Sequence, residues 1–583
     1  MSNHNPETPG FTLRAALIAI ALSLFLLTSS SYVAIRIGAQ PWPIIFSVII
    51  SGAILKLLNG ARKVSVHEAN VAQAGGSIGG LVAAGVVFTL PGILYLNNSK
   101  HLDIAWPNPW VLALLTALAG VLGVLLSVPL KYTFVDEEKL PYPSGTAGAE
   151  LLKLGQTGGR QLFFVITMGA AAGVFTLIRD LLFPAGFSFA TLTSLGILLT
   201  ILPLPLAIGG GYILGGRAGF SWFLGAIVGW VILVPLLHQN AFSTESARGW
   251  VQNLGMGMVL GSGIGFFVSY ILPRFKQTFL PLLQTRERYL RFFPGLALLG
   301  IGALWLAGVP LFAALLSVLG VWMMVAVAAR MTGETNIDPL EQFGIFTGLV
   351  IALVYKLADL QLSVSASFMI VTFVSVACAI AGDAGHDYKS SVIVGTRFFD
   401  IVKVDIITVI ASGLAAPFVL ETIRRGFADA LFTPAMPAPQ AQMVAGSIFG
   451  FEFPWVFTAG FALAFMWEVS QRIVPPKFKD KILLMPLGIG LFLGLGLAIP
   501  LALGALIRGY VDRRASHLYT AGLLIAAAVM GGEGLAGFSA GALAAAGVPF
   551  ETGAHVLLAI FVIVLFLALW VTLRYKGPET REI

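Results

Sequence analysis

The sequence contains little charge and almost no cysteine. Only 11% of its 583 residues are charged, and Cys378 is the single cysteine, so no disulfide can form within the chain. The remainder is strongly apolar, with 57% hydrophobic residues and a mean hydropathy of +0.90. Soluble domains are markedly less apolar, and disordered chains carry more charge and fewer apolar residues. Both classes are therefore excluded.

Motifs for nucleotide binding and for enzymatic chemistry are also missing. No G-x-x-x-x-G-K-[ST] run is present to hold phosphates, and His67-Glu68 is followed by Val71 where a zinc protease has its second histidine. The net charge of +7 comes without a basic patch interleaved with aromatic residues, so nucleic acid is not a predicted partner. The sequence predicts neither an enzyme nor a bound cofactor or metal.

Apolar runs of membrane-spanning length recur along nearly the whole chain. They predict an all-α polytopic membrane protein with about 16 transmembrane helices in two related halves. The two predicted transmembrane halves are residues 14–272 and 292–574, and residues 273–291 are a cytoplasmic connector between them. Residues 1–13 are predicted as a cytosolic tail and residues 575–583 as a C-terminal tail. Among the predicted spans are residues 14–35, 70–96, 109–130, 363–382, 402–421, 482–507 and 519–547.

Lysine and arginine are distributed unevenly over the loops between these segments. If residue 14 faces the cytoplasm, thirteen basic residues fall on inner loops of the first half and four on outer loops. Cytoplasmic loops of membrane proteins carry an excess of lysine and arginine. The bias predicts a multi-pass protein of the cell membrane with both termini in the cytoplasm, and the tail Arg574-Tyr575-Lys576 favours the same orientation.

Two proline-led segments are too short and too rich in small residues to be ordinary spans. They cover residues 141–150 and 437–446, and they lie about half the chain length apart. Interrupted helices at matching positions of two halves mark the substrate site in many transporters. We therefore predict a broken or re-entrant segment in each half. The alternative is a pair of unrelated proline-rich loops.

A cluster of polar residues interrupts the apolar sequence at residues 381–391. A charge at membrane depth costs at least about 2.5–3.5 kcal/mol and usually faces a cavity or a partner. Asp383 and Asp387 are four residues apart, so a helix would place both on one side. Glycines on both sides of Asp383 permit close backbone approach or a break in the helix. The alternative is a solvated cytoplasmic loop with an internal Asp–Lys pair.

A second polar cluster covers residues 330–339. It contains Glu334 and Asn336 ahead of Pro339, which disfavours helix at Asp338. Backbone groups freed at such a break can coordinate a polar solute or a proton carrier. The alternative is an ordinary N-cap before a helix that begins at Leu340.

Three further charged residues stand within or beside apolar segments. Glu533 lies among glycines between two apolar stretches, where neither helix propensity nor core packing favours it. Glu150 ends the first proline-led segment, where it could face a vestibule. Arg36 follows Tyr32 by four residues and is interpreted as either a buried counter-charge or an interface residue.

Several motifs occur in a fixed order along the chain: Arg14 with Tyr32, Gly38 and Pro43; Asn70 to Pro91, ending in Phe88-Thr89-Leu90-Pro91; Tyr142-Pro143-Ser144-Gly145-Thr146-Ala147 with Glu150; Gly211 to Gly215; Gly333-Glu334-Thr335-Asn336; and Gly382-Asp383 with Asp387 and Lys389. This ordered set resembles the oligopeptide transporter family, whose relatives include the yellow-stripe-like metal-chelate carriers. His386 and Ser390-Ser391 differ from the residues that the family has at these positions, and the Asn-Pro-Gly motif of its eukaryotic peptide-carrying branch is absent. These differences point to the prokaryotic or yellow-stripe-like side.

The resemblance implies a secondary active transporter that couples uptake of a small peptide, or of a peptide-like chelate, to protons. Proton coupling requires a carboxyl group that can be protonated near neutral pH. We rank three acids as proton-coupling candidates: Glu334, Asp383 and Glu533. Five residues are candidates for substrate or gate contacts: Asn336, Asp387, Lys389, Glu150 and Arg36. The predicted partners are the substrate, protons and the lipid bilayer, and a homodimer is left open.

Two alternatives to peptide symport remain. A carrier of metal–chelate complexes, of the siderophore or nicotianamine type, would keep the mechanism and change the ligand. A passive channel belongs to a different class, because it can only equilibrate its solute across the membrane and cannot accumulate it.

Overall fold

A computed structural model describes most of the chain. The described residues are 8–38, 43–59, 64–154, 159–183, 186–188, 199–239, 242–274, 292–336, 338, 340–433, 436–471 and 483–574. The predicted cytoplasmic connector lies outside these ranges except for residues 273 and 274. The whole predicted C-terminal tail, residues 575–583, also lies outside them.

The described residues of the first half form helices and one short strand pair. Its helices are α1 Leu13–Ile37, α2 Pro43–Asn59, α3 Val66–Val87, α4 Pro91–Lys100, α5 Pro109–Leu130, α6 Pro143–Leu154, α7 Gly159–Leu182, α8 Pro205–Leu214, α9 Gly216–Ile227, α10 Val234–Gln239 and α11 Thr244–Phe266. Turns of π-helix at Lys131–Glu137, Val228–Leu233 and Phe267–Ile271 extend three of them. Strands β1 Phe187–Ser188 and β2 Thr200–Ile201 pair antiparallel.

The second half is built in the same way. Its helices are α12 Phe293–Leu306, α13 Leu311–Thr335, α14 Leu340–Leu357, α15 Val364–Val394, α16 Phe398–Gly426, α17 Pro439–Phe449, α18 Pro454–Ser470, α19 Leu484–Leu493, α20 Leu495–Arg514, α21 Tyr519–Ala545 and α22 Phe550–Arg574.

Local sequence explains where several long helices begin and end. Thr12 caps α1 by accepting a hydrogen bond from the Ala15 amide, and Ser363 caps α15 by accepting one from Ala366. Such hydroxyl caps satisfy amides that have no partner within the helix. Helix α15 ends at Gly395, whose φ of 81° only glycine adopts without strain.

Many of these helices are long and apolar enough to cross a membrane. Thirteen qualify on their own among the described residues, or 14 if α17 and α18 together form one broken span, and four shorter apolar helices accompany them. The pair α17–α18 bends by 112° at its break, as a broken span or re-entrant loop does. The predicted all-α polytopic membrane fold is thereby confirmed.

The two halves repeat one order of elements. Helices α1 to α3 and α5 to α9 have counterparts in the same order in α13 to α20, and α11 has its counterpart in α21. The packing follows the same correspondence, because α7 packs on α21 as α18 packs on α11, and α3 packs on α16 as α15 packs on α5. This repeated arrangement agrees with the prediction of two related halves.

A glycine break at matching places strengthens the correspondence. Helix α8 ends at Gly215 and α19 ends at Gly494, and each glycine also precedes the next helix. Their φ angles of 85° and 76° lie in the region that favours glycine. Residues 482–507, predicted as one span, therefore form two helices, and a broken helix stands in each half.

Helix α15 decides between the two interpretations of residues 381–391. The helix continues without a break from Val364 to Val394, and Asp383 and Asp387 are buried within it. A solvated loop at this place is therefore wrong, and so is a break in the helix. Gly382 and Gly385 serve close packing, because a Cβ at either position would overlap or crowd a neighbouring side chain.

Residues 8–11 form a short segment, here called the N-terminal strap, along the turn between α15 and α16. The Thr8 amide donates to the Gly395 carbonyl at 3.0 Å, and the Arg397 amide donates to the Thr8 carbonyl at 2.9 Å. The amides of Gly10 and Phe11 both donate to Oδ2 of Asp400, at 2.9 and 3.2 Å. The start of the first half is thus tied to the second half.

Candidate functional site

The short helix α6 docks on the end of α13. The Tyr142 amide donates to the Gly333 carbonyl at 2.8 Å, and the Tyr142 hydroxyl donates to the Ala329 carbonyl at 2.8 Å. Tyr142 has a φ of 41°, an unusual value for a residue with a side chain. Its two hydrogen bonds to α13 hold this conformation in place.

Asn336 connects the break after α13 to the first turn of α6. Its Oδ1 accepts hydrogen bonds from the amide of Ser144 at 3.0 Å and from the Ser144 hydroxyl at 2.8 Å. Asn336 thereby caps α6 through Ser144, a residue 192 positions earlier in the chain. The structure therefore brings together two motifs that the sequence placed separately, the proline-led segment and the break at residues 330–339.

Gly145 places α6 directly against α15. Its amide donates to Nδ1 of His386 at 3.2 Å, and a Cβ at this position would overlap the backbone oxygen of His386. The ring of Tyr142 packs edge-on against the His386 imidazole, with ring centroids 5.5 Å apart. Only a glycine permits this approach. The polar cluster at residues 381–391 therefore lies against the first proline-led segment and the break at residues 330–339.

Asp383 and Asp387 face α3 from the opposite side of α15. The Ser77 hydroxyl lies 2.9 Å from Oδ2 of Asp383, and Nε2 of Gln73 lies 3.2 Å from Oδ1 of Asp387. Gln73 also reaches Oδ1 of Asn70 at 3.2 Å. These neighbours are neutral hydrogen-bonding groups, so they orient the two carboxyls without compensating a charge.

Four carboxyls, here called the acid row, follow one another from the α13–α14 break to α16. They are Asp338, Asp383, Asp387 and Asp405. Asp338 lies within electrostatic range of Asp383, and Asp387 lies within range of both Asp383 and Asp405. In the described part of the chain, both carboxyl oxygens of Asp338 and Asp405 lack a hydrogen-bond partner, as does Oδ2 of Asp387.

The acid row has no basic ion-pair partner in the part of the chain that the structure describes. Asp387 and Asp405 are fully buried, and Asp383 is 3% exposed. No group of three histidine, cysteine or acidic side chains among the described residues could hold a metal ion. The row therefore consists of carboxyl groups whose oxygens are largely buried and have no basic partner among the described residues.

Glu334 belongs to an ion-pair cluster beside the acid row. Its carboxylate lies 3.1 Å from Nε of Arg330, and Arg330 also pairs with Glu138 at 2.7 Å. Arg330 is 3% exposed, and its guanidinium stacks over the Phe134 ring at 5.4 Å. The predicted proton-coupling candidate Glu334 is thus held by an arginine, unlike the carboxyls of the acid row.

Glu533 lies in a different part of the molecule. Its carboxylate accepts hydrogen bonds from Nη1 of Arg179 at 2.6 Å and from the Leu206 amide at 2.7 Å. The predicted residue Arg36 is nearby, with Nη1 at 3.5 Å from Oε1 of Glu533. The sequence thus pointed to a buried acid at this position, and the structure surrounds it with two arginines.

The remaining predicted residues lie at the edge of the site. Glu150 is exposed at the end of the second turn of α6, and Lys389 is partly buried on α15. Sequence reasoning missed Gln73, Ser77 and Asp405. A signal for them existed, because each is a polar residue inside a predicted span, at residues 70–96 or 402–421.

Comparison with known proteins shows which family has this sequence pattern. Residues 10–277 and 289–544 match the family model described as "OPT oligopeptide transporter protein". The chain belongs to the OPT oligopeptide transporter family. It is therefore a multi-pass membrane transporter and not an enzyme, and the family resemblance inferred from the motifs is confirmed.

Individual relatives of the OPT family differ in the solutes that their names give. A protein of Haemophilus influenzae named "Putative oligopeptide transporter" is 24% identical over 604 residues, covering 86% of this chain and 91% of that protein. "Probable metal-nicotianamine transporter YSL6" of Arabidopsis thaliana is 27% identical over 231 residues, covering 35% of this chain and 33% of the relative. "Probable metal-nicotianamine transporter YSL9" of Oryza sativa subsp. japonica is 25% identical over 205 residues, covering 31% and 29%.

Proposed function

We propose that this chain is a secondary active transporter that couples the uptake of small oligopeptides to protons. The observation that supports the proposal most strongly is the acid row, a series of buried carboxyls with no basic partner among the described residues. The relative that the chain matches over most of its length carries a peptide-transporter name.

The physical argument concerns charge in a dry environment. Burying several ionised carboxylates close together without cations is costly, because neither water nor a counter-ion offsets their repulsion. Such groups titrate together and hold fewer charges than their number. Protons are the simplest neutralising species, so the acid row is suited to take up a proton on one side of the membrane and to release it on the other.

The proposal links this proton site to the substrate through α15. Asp383 and Asp387 face α3, while His386 on the same helical turn contacts α6 at Gly145. Helix α6 begins beside the break at Asn336, and transporters use such interrupted helices to bind polar solutes. A change in the charge of the acid row would thus act on the helix that contacts the proposed substrate region.

A second candidate, transport of metal–chelate complexes, is favoured by one observation. Two plant relatives that match about a third of the chain are named as metal-nicotianamine transporters. The same acid row would serve proton coupling in that case, and only the ligand would differ.

Purified protein in proteoliposomes separates these possibilities. We expect a labelled tripeptide to accumulate above its external concentration when an inward pH gradient is imposed, and to equilibrate without accumulation when the gradient is collapsed. Accumulation of an iron or nickel chelate with no peptide uptake would replace the peptide with the chelate. Equilibration of the solute under both conditions would identify a passive channel and overturn proton coupling.

We further propose that the protein resides in the cell membrane with both termini in the cytoplasm, on the basis of the basic residues of its loops. Gln284, in the predicted connector, lies outside the described residues. A cysteine introduced there should resist a membrane-impermeant thiol reagent applied to intact cells, and it should react after the membrane is opened. Labelling in intact cells would reverse the orientation. The homodimer stays a prediction.

A further inference from the structure

A second buried polar region lies where α1, α7, α8 and α21 meet. It contains two arginines and two acids, Arg36 and Arg179 with Asp180 and Glu533, together with the hydroxyl of Tyr32. Glu533 and Tyr32 are fully buried, and Arg36 and Arg179 are 7% and 5% exposed. The four charges cancel, so the region is neutral as a whole.

The hydrogen-bond acceptors of this region are already used. Oε1 of Glu533 accepts from Arg179 at 2.6 Å, and Oε2 accepts from the Leu206 amide at 2.7 Å. Oδ1 of Asp180 accepts from Nε of Arg179 at 2.8 Å. Arg179 is therefore committed to two carboxylates, and both oxygens of the most deeply buried acid are satisfied.

Donors on α1, by contrast, remain unused. Nε of Arg36 has no hydrogen-bond partner among the described residues, and neither has the hydroxyl of Tyr32. The nearest carboxylate to Arg36 is Glu533, at 3.5 Å from Nη1, which is long for a charge-assisted hydrogen bond. The Arg36 guanidinium stands over the Tyr32 ring, 4.9 Å from its centroid, so the two sets of donors are adjacent.

This imbalance specifies the ligand that would complete the region. A ligand has to accept hydrogen bonds and carry negative charge, because only donors are free and because Arg36 is the less compensated of the two arginines. A carboxylate matches the planar fork of a guanidinium, which can bind it through two parallel hydrogen bonds. Leaving a buried guanidinium without such a partner is costly.

We infer that Arg36 and Tyr32 form a subsite for a carboxylate group of the transported substrate. The inference rests on the proposed function, because the group assigned to this subsite is the C-terminal carboxylate of a transported peptide. Arg36 would bind the two carboxylate oxygens, and the Tyr32 hydroxyl would donate to one of them.

The subsite is also connected to the acid row. Helix α1, which carries Tyr32 and Arg36, packs closely on α3, which carries Gln73 and Ser77. A Cβ at Gly79 of α3 would overlap the backbone oxygen of Ser23 on α1, so the two helices are in direct contact. Binding of a carboxylate at Arg36 of α1 can therefore shift α3, the helix that faces Asp383 and Asp387.

The test compares a peptide that has the carboxylate with one that lacks it. Uptake of labelled trialanine and of trialanine amide is measured in proteoliposomes under an inward pH gradient, for the wild type and for the variants Arg36→Gln, Arg36→Lys and Tyr32→Phe. For the wild type we expect a KM for the free acid that is about ten-fold or more below that for the amide, as the loss of one charge-assisted pair implies.

The variants should remove this preference by raising the KM for the free acid relative to that for the amide. Arg36→Gln is expected to raise the KM for the free acid to that for the amide, Arg36→Lys to retain part of the preference, and Tyr32→Phe to reduce it about three-fold, as expected for one hydrogen bond. Arg424→Gln is a matched control, because the Arg424 side chain pairs with Glu421 and stands over the Trp106 ring, 5.6 Å from its centroid. It should keep the wild-type preference.

The outcomes separate this inference from the proposed function. Equal KM values for acid and amide in the wild type, with accumulation of both, would overturn the subsite and leave proton-coupled peptide transport standing. An acid preference that persists in Arg36→Gln and Tyr32→Phe would also overturn it. Failure of the wild type to accumulate either peptide would overturn both proposals. If Arg36→Gln does not fold, Arg36→Lys and Tyr32→Phe still decide the question.

Discussion

Helices α6 and α17 dock in nearly the same way, but their surroundings differ. The residue before each helix has a positive φ, 41° at Tyr142 and 44° at Ala438. The amide of Tyr142 donates to the Gly333 carbonyl at 2.8 Å, and that of Ala438 donates to the Ile35 carbonyl at 2.9 Å. In each case the acceptor lies three residues before the residue with left-handed backbone that ends the helix, Asn336 after α13 and Gly38 after α1.

The side chains of the two docks carry different chemistry. Helix α13 ends at Asn336, which caps α6, whereas α1 ends at Gly38, against which Pro439 packs. An offset of 298 residues relates Gly38 to Asn336 and also relates Gly85 to Asp383. The repeated backbone thus carries a buried acid, Asp383, in one half and Gly85 at the matching position of the other, so we expect proton coupling to be concentrated beside α6 and α15.

The largest effect is expected from Asp383→Asn, which removes a titratable group from the acid row and hardly changes the size of the side chain. We expect accumulation driven by a pH gradient to be lost, while exchange of labelled for unlabelled substrate survives, because the amide can still interact with Ser77. Uptake and exchange in proteoliposomes measure the two activities separately.

Asp512→Asn provides the control, since Asp512 pairs with Arg508 on the exposed part of α20. It should accumulate substrate as the wild type does. Wild-type accumulation by Asp383→Asn would remove this residue from the coupling machinery and would make the two docks functionally alike.

Gly145→Ala should have the next largest effect. The added Cβ would overlap the His386 backbone, so α6 has to move away from α15, and we expect uptake to fall more than ten-fold at normal expression. Gly148→Ala on the same helix meets only side-chain carbons, the nearest at 3.2 Å, and should fall by less than about three-fold. Similar uptake by the two variants would contradict the close docking of α6.

Asn336 offers the smallest and most specific change. Asn336→Gly preserves the left-handed backbone and removes only the cap of α6, which we expect to cost about 1 kcal/mol and to slow uptake several-fold. Asn336→Ala adds backbone strain at a φ of 62° and should lower the melting temperature further. If Asn336→Gly transports at the wild-type rate, the cap does not contribute to the gate.

The sequence predicted individual helices well where local chemistry marks their ends. The predicted span at residues 109–130 coincides with α5, because Asn108 and Pro109 form a strong helix start. The predicted span at 363–382 stops twelve residues short of the end of α15. Hydropathy falls at Asp383, but packing against α3 and α6 keeps this segment helical and buried, and hydropathy does not report such packing.

The individual motifs of the site were also visible in the sequence, but their meeting was not. The Ser144–Asn336 contact spans 192 residues and the Gly145–His386 contact spans 241. No periodicity in the sequence encodes contacts at that separation. The same limit applies to Glu533, where the sequence shows an acid among glycines but not the arginine of α7 that pairs with it. Only the packed structure distinguishes this paired acid from the unpaired carboxyls of the acid row.

The N-terminal strap has a practical consequence for producing this protein. Its backbone hydrogen bonds to Gly395, Arg397 and Asp400 hold the turn that follows α15. An affinity tag fused directly to Thr12 would eliminate those bonds, whereas a tag placed ahead of residue 8 would leave them intact. We expect a chain trimmed to residue 12 to insert into membranes yet to be less stable in detergent, so purification and reconstitution should begin from chains that retain the strap.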